Sequence, residues 1–198
     1  MPVLPFFKNP VESRYRRDGK TYLIDIKVEN LSFLFDERDP SPLRNRDLHD
    51  DIVSYIIGSL REIPLKSPVK LNILIEDGNP GDVDHERIVG SVLNHFEFET
   101  HLKAIELRRT LRKGVKAMLT GLGFLFLSLS SVHYISSNYT GFVWEYLVEG
   151  LSILSWVSMW FPIHVFLYEW WPILDDLKVF RKARALETEI SATGVGTD

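Results

Sequence analysis

The chain has 198 residues, 45% hydrophobic and 25% charged, with a formal net charge of -4 at pH 7. That length suits one domain, or a small polar module joined to a membrane module. Cysteine is absent, which excludes disulfides, thiolate metal sites and a cysteine nucleophile.

Two compositions are mixed in these averages. Residues 1–110 are polar and charged, whereas residues 117–174 hold all five tryptophans and, as charged side chains, only Glu145, Glu149 and Glu169. Residues 1–20 read as an irregular basic arm: Pro2, Pro5 and Pro10 block regular pairing, and Arg14, Arg16, Arg17 and Lys20 supply charge. No continuous apolar stretch precedes the first charges, so the signature of a cleaved signal peptide is missing and insertion is expected to depend on internal segments.

Residues 21–82 read as a βαβ module. Tyr22, Ile24, Ile26 and Val28 alternate with Leu23, Asp25, Lys27 and Glu29 in the period-2 pattern of a half-buried strand. Leu31–Phe35 extends that strand or forms another. Asp36–Pro42 is a polar, proline-stiffened loop. Asn45 or Asp47 then caps a helix ending near Glu62, with Asp50 and Asp51 at its positive end and Ile52, Tyr55, Ile56, Ser59, Leu60 and Ile63 as its stripe. After Pro64, Val69, Leu71, Ile73 and Ile75 mark a second strand. Strand, helix and strand at this spacing predict a crossover with parallel strands. Its second face must be covered by the next helix or by another copy of the chain.

Asp77–Asp82 reads as a turn cluster. Residues 83–116 follow as an amphipathic stalk helix, either continuous with the next segment or broken near His95–Glu99. Residues 117–135 and 151–171 are long and apolar enough to cross a hydrocarbon core of about 30 Å. Residues 136–150 form the loop between them, and residues 172–198 a tail. Lys103, Arg108, Arg109, Arg112, Lys113 and Lys116 precede the first span; Lys178, Arg181, Lys182 and Arg184 follow the second; the loop has no Lys or Arg. The positive-inside rule therefore puts both termini in the cytoplasm and the loop outside. Trp170 and Trp171 suit the inner headgroup belt and Trp144 the outer one, with the basic clusters against lipid headgroups. Nucleic acid, the competing partner for such clusters, is disfavoured by the adjacent spans and by Glu99 and Glu106.

Within the spans, Ser128, Ser130, Ser131, Ser152, Ser155 and Ser158 allow close helix approach or could line a pore. His133 lies near an outer span end. His164 follows Pro162 in the inner half and suits a structural hydrogen bond or an ion relay. His85, Glu86, His95, Glu97, Glu99 and His101 resemble metal ligands, but Val89 stands where HExxH needs its second histidine. Gly78 and Gly81 lie before a helix start without a phosphate-loop pattern, and Asp77, Asp82 and Asp84 would repel phosphate. There is no GxSxG elbow, and Asn138-Tyr139-Thr140 is a formal glycosylation sequon. No cofactor is expected, and the sequence names no small-molecule ligand.

Phe35–Leu43, Asp47-Leu48, Tyr55-Ile56, Glu106–Arg109 and above all Trp156–His164 with Phe166–Pro172 resemble a group of bacterial two-span membrane proteins. The resemblance covers most of residues 22–184 and implies a cytoplasmic-membrane protein with two spans; it carries no activity. Phe161 and His164 stand where the group holds an arginine and a glutamate, so that charged pair is not carried over. The resulting expectation is a non-enzymatic homo-oligomer whose module mediates self-association or partner binding. An oligomeric channel or transporter subunit is the first alternative. A membrane-bound enzyme is the second, with Asp36, Asp39, His49 or Asp51 converging at the strand edge favoured for sites in α/β folds.

Overall fold

The computed structural model describes residues 14–42, 46–76 and 85–192. The expectations on Pro2, Pro5, Pro10, Asn45 and the Asp77–Asp82 turn lie outside these residues. The chain clusters into two units, Met1–Leu102 with Leu177–Asp198, and Lys103–Asp176.

The first unit is a four-stranded sheet of order β1-β2-β3-β4. β1 (Arg16–Asp18) pairs antiparallel with β2 (Thr21–Val28). Their connection is Gly19-Lys20, with Gly19 at φ 58° and no positive φ at Lys20, the II′ pattern that matches strand twist. Part of the expected irregular arm is thus an edge strand. β2 runs parallel to β3 (Val69–Ile75), with Ile24 opposite Leu71 and Ile26 opposite Ile73. Helix α1 (Asp50–Glu62) connects them. The crossover expected from the spacing is the one observed.

The start of α1 differs from expectation. His49 is the N-cap, its Nδ1 accepting from Asp51 N at 3.3 Å, because Asp47 is engaged elsewhere. Leu31–Leu34 is a 3-10 turn rather than a strand. Asn30 Oδ1 accepts from Ser32 N at 3.0 Å, offering this backbone a turn in place of a ladder.

β4 (Glu187–Ala192) pairs parallel with β3. The expected tail therefore closes the sheet. Parallel neighbours need a crossover connection, and here that connection contains every helix from His85 to Arg184. Alternate strand residues Tyr22, Ile24, Ile26, Val28, Val69, Leu71, Ile73 and Ile75 share one core with Ile56 and Leu60 of α1. Ile88, Val92 and Phe96, and Val179, Phe180 and Ala183, complete it from the helices that bound the crossover. Fully burying an aliphatic side chain such as Ile24 contributes about 1.5–3 kcal/mol.

The opposite face of the strands is mainly polar, with Leu23 and Leu74 its large apolar residues. The Arg16 guanidinium forks onto Asp25 at 2.8 and 2.6 Å, Asn72 Nδ2 donates to Asp25 at 3.0 Å, and Lys70 lies 2.7 Å from Glu189. Arg16 in particular holds the Asp25 carboxyl below the usual carboxylate range. Helices thus supply the apolar partner of one face, and cross-strand pairs occupy the other.

α2 (His85–Asn138) is one helix of 54 residues; the break near His95–Glu99 does not occur. α3 (Phe142–His164) follows after Tyr139–Gly141, a shorter connection than the expected loop of residues 136–150. A π-helical turn, Val165–Glu169, joins α3 to α4 (Trp170–Arg184). Pro172 lies in the first turn of α4. Having no N–H, it donates no hydrogen bond back into the widened turn.

Candidate functional site

Within Lys103–Asp176, α2 and α3 form an apolar helix pair. Only 11% and 17% of the most apolar 18-residue windows of the two long helices are buried. The large side chains point outward, while the shared face is built from small residues. Gly114, Gly121 and Ser128 lie seven apart on α2; Gly121 faces Ser158 and Pro162, and Gly114 faces Val165. That spacing is the heptad repeat of two helices packed side by side. Glycine is required at two of these positions: a Cβ on Gly121 would lie 2.9 Å from the Ser158 carbonyl oxygen, and one on Gly114 would lie 2.8 Å from Val165 Cγ1. Pro162 has no N–H, so the Ser158 carbonyl loses its usual donor and is free to approach the Gly121 Cα.

The serines separate by environment. Ser128 and Ser155 are buried, with Ser155 Oγ donating to Leu151 O at 2.7 Å. Ser158 Oγ donates to Ser155 O at 2.7 Å and reaches Gly121 O at 3.5 Å. Ser152 is half-buried and donates to Val148 O at 2.7 Å. Ser131 is exposed and bonds its own helix at Leu127 O.

One ionic cluster joins the two helical stretches. Glu169 lies 3.7 Å from Lys113 Nζ and 3.4 Å from His164 Nδ1, and Lys113 sits 5.0 Å above the Phe161 ring. The π turn carries Glu169 to this position. Glu169 and Lys113 were missed as a pair because a sequence contains no sign of a one-residue helix bulge. The two glycines were missed too, although the seven-residue spacing of Gly114, Gly121 and Ser128 was legible.

Aromatic residues flank the pair. Trp144 stacks on Tyr139 at 4.4 Å. Trp170 Nε1 donates to Phe166 O at 2.7 Å, bonding a carbonyl of the π turn, and its ring meets that of Trp171 at 4.8 Å. The basic residues are not equivalent either. Arg108, Arg109, Arg112 and Lys116 are exposed, and their side chains make no hydrogen bond, ion pair or ring contact among the described residues. In the first unit, Arg181 is exposed, Lys182 donates to Pro64 O at 2.9 Å, and burial pushes the Lys182 ammonium below its ordinary pKa. Lys178 has partners.

The loop after β2 does not gather its acids. Asp36 is paired to Arg38 at 2.6 Å, and this hydrogen bonding lowers its pKa to about 2. Asp39 accepts from Ser41 N at 2.9 Å and Asp47 N at 2.8 Å, stapling the loop. His49 caps α1, and Asp51 is exposed. His49 also lies 3.7 Å from Asp51 and lines a cavity of about 400 Å³ with Asp36 and Arg38, whereas Asp39 is turned to Ser41 and Asp47. Asp39, Ser41 and Asp47 do line a cavity of about 330 Å³ with Asn94, His95 and Phe98. His95 Nδ1 lies 3.1 Å from Asp47 Oδ1 and latches the loop to α2. Among the described residues no group of three or more His, Asp or Glu is arranged to hold a metal.

No protein-family model, curated protein or solved structure matches this chain.

Proposed function

We propose that this chain is a non-enzymatic two-span protein of the bacterial cytoplasmic membrane whose α/β module, on the cytoplasmic side, mediates self-association or binds a partner. The observation that carries the reading is the inverted partition of the helix pair. Leu119, Phe126, Trp156 and Trp160 are 65%, 72%, 81% and 77% exposed, while Gly121, Ser128 and Ser155 are buried between the helices. In water that arrangement forfeits the hydrophobic gain of folding; in hydrocarbon it is the ordinary one, because small residues let helices approach and large ones face lipid.

Two further observations support the direction. The basic residues flank the spans and are missing from the connection, as the positive-inside rule asks. The parallel pairing of β4 with β3 in one sheet also supports placing both ends of the inserted helices on the same side of the membrane. The resemblance of residues 22–184 to bacterial two-span proteins supports the choice of membrane. The polar outer face of the sheet leaves the module a surface for a second copy or a partner.

The lack of cysteine makes a direct test simple. In a bacterial host, Thr140→Cys is expected to react with a membrane-impermeant maleimide in intact spheroplasts. Lys66→Cys should react only after lysis. The reverse pattern, or labelling of both before lysis, would overturn the topology.

A further inference from the structure

The basic residues beside the helix pair divide by what the protein already offers them. Lys103 Nζ lies 2.9 Å from Glu106 and 4.0 Å from Asp176, and Glu169 is shared by Lys113 and His164. These carboxylates are therefore occupied. Arg108, Arg109, Arg112 and Lys116 remain exposed, without a partner among the described residues. At about 100° per residue the four fall within an arc of roughly 100° on α2. Arg108, Arg112 and Lys116 form one row at i, i+4, i+8, where like charges repel unless a counter-charge is supplied.

We infer that this face binds the phosphates of anionic phospholipids in the adjoining leaflet. The inference rests on the two-span reading and adds to it a lipid class and the residues that select it. Lys116 directly precedes the apolar run that begins at Ala117. With a rise of about 1.5 Å per residue, Arg112 lies about 6 Å and Arg108 about 12 Å further along the helix. The headgroup layer is roughly 5–8 Å deep on each side of the hydrocarbon. Lys116 and Arg112 therefore reach phosphate directly. Arg108 and Arg109 act through the surface potential, within about one Debye length of 8 Å. Nucleic acid also presents phosphates, but an apolar run starting at the next residue puts this row against lipid.

The test uses the full chain, purified in detergent and offered equal amounts of phosphatidylglycerol and phosphatidylcholine, with retained lipid counted by native mass spectrometry. Preferential retention of phosphatidylglycerol is expected. Lys116→Gln and Arg112→Gln should each reduce that preference about fivefold, and Arg108→Gln by less. A control that removes two charges in the first unit, Lys20→Gln with Lys66→Gln, should leave it intact. Equal retention of the two lipids by the unmodified chain, or an equal loss in the control, overturns the inference. So does tighter binding of a single-stranded oligonucleotide than of phosphatidylglycerol vesicles. The two-span reading is decided separately: release of the chain from vesicles by alkaline carbonate would overturn that reading itself.

Discussion

Gly121 shows how one missing side chain sets a helix contact. A methyl there meets backbone, the Ser158 carbonyl at 2.9 Å, and Met159 Sδ at 3.2 Å, so relief requires moving a helix. Gly123, two residues on, has nothing within 4 Å of its would-be Cβ. Both glycines forgo about 1 kcal/mol of helix propensity relative to alanine. Gly121→Ala is therefore expected to destabilise the pair by about 1–3 kcal/mol relative to Gly123→Ala. Reversible unfolding in mixed micelles measures this, and equal stabilities would remove the close-contact account. Asp36 offers a test in the α/β module. Hydrogen bonds from the Arg38 side chain and backbone lower its carboxyl from 3.8 to about 2. A lowered folded-state pKa means that the pairing stabilises the loop above pH 3.8 and that this contribution is lost as pH falls through about 2. A carboxyl NMR titration should show the low midpoint, and Arg38→Gln should return it towards 3.8. An ordinary midpoint in the unmodified chain would contradict the pairing.

At the level of elements, legibility followed burial pattern. β2 and β3 were readable because each buries alternate residues and so writes a period of two into the chain. The stripe of α1 was readable for the matching reason at a period near 3.6. β4 was not: Glu187-Thr188-Glu189-Ile190-Ser191-Ala192 has one large apolar residue, since an edge strand carrying charges needs little burial and resists pairing with other chains. Its contribution is tertiary, through the ladder that sets Ile190 beside Ile73. Truncation after Ala185 removes β4 and also the buried Leu186. Amides of β3 that are protected in the full chain should then exchange at rates approaching those of the unfolded state. Unchanged protection would show that the strand is dispensable. The π turn was equally hidden, because a bulge is settled by the contacts a helix makes rather than by composition.

For the whole molecule, the insertion of the helix pair between β3 and β4 would, on the two-span reading, link membrane topology to folding. Deleting Phe142–Phe161 leaves a single span and, on the two-span reading, puts β4 on the opposite side of the bilayer from β3. The module should then lose its resistance to proteolysis, whereas a chain in which that stretch is replaced by polyleucine of equal length should keep it. Equal resistance of the two would break the link. Self-association is read from mass: the solubilised protein should exceed its 22.9 kDa monomer, and a strict monomer across detergents would leave partner binding as the only role proposed for the module.

Local periodicity was enough to read the α/β class, the β2–α1–β3 crossover and the two apolar stretches, because those properties are repeated along the chain at the spacing of the structure that buries them. Hydropathy likewise marked which helices suit a bilayer. Three features needed contacts between residues distant in sequence. Closing the sheet with β4 depends on a ladder to β3 across the entire helical insertion. The approach at Gly121 depends on a carbonyl freed by a proline on the other helix. The division of the basic residues into paired and unpaired sets depends on where Glu106, Glu169 and Asp176 come to rest. Periodicity records which face of an element is buried, and it carries no information about the partner that buries it.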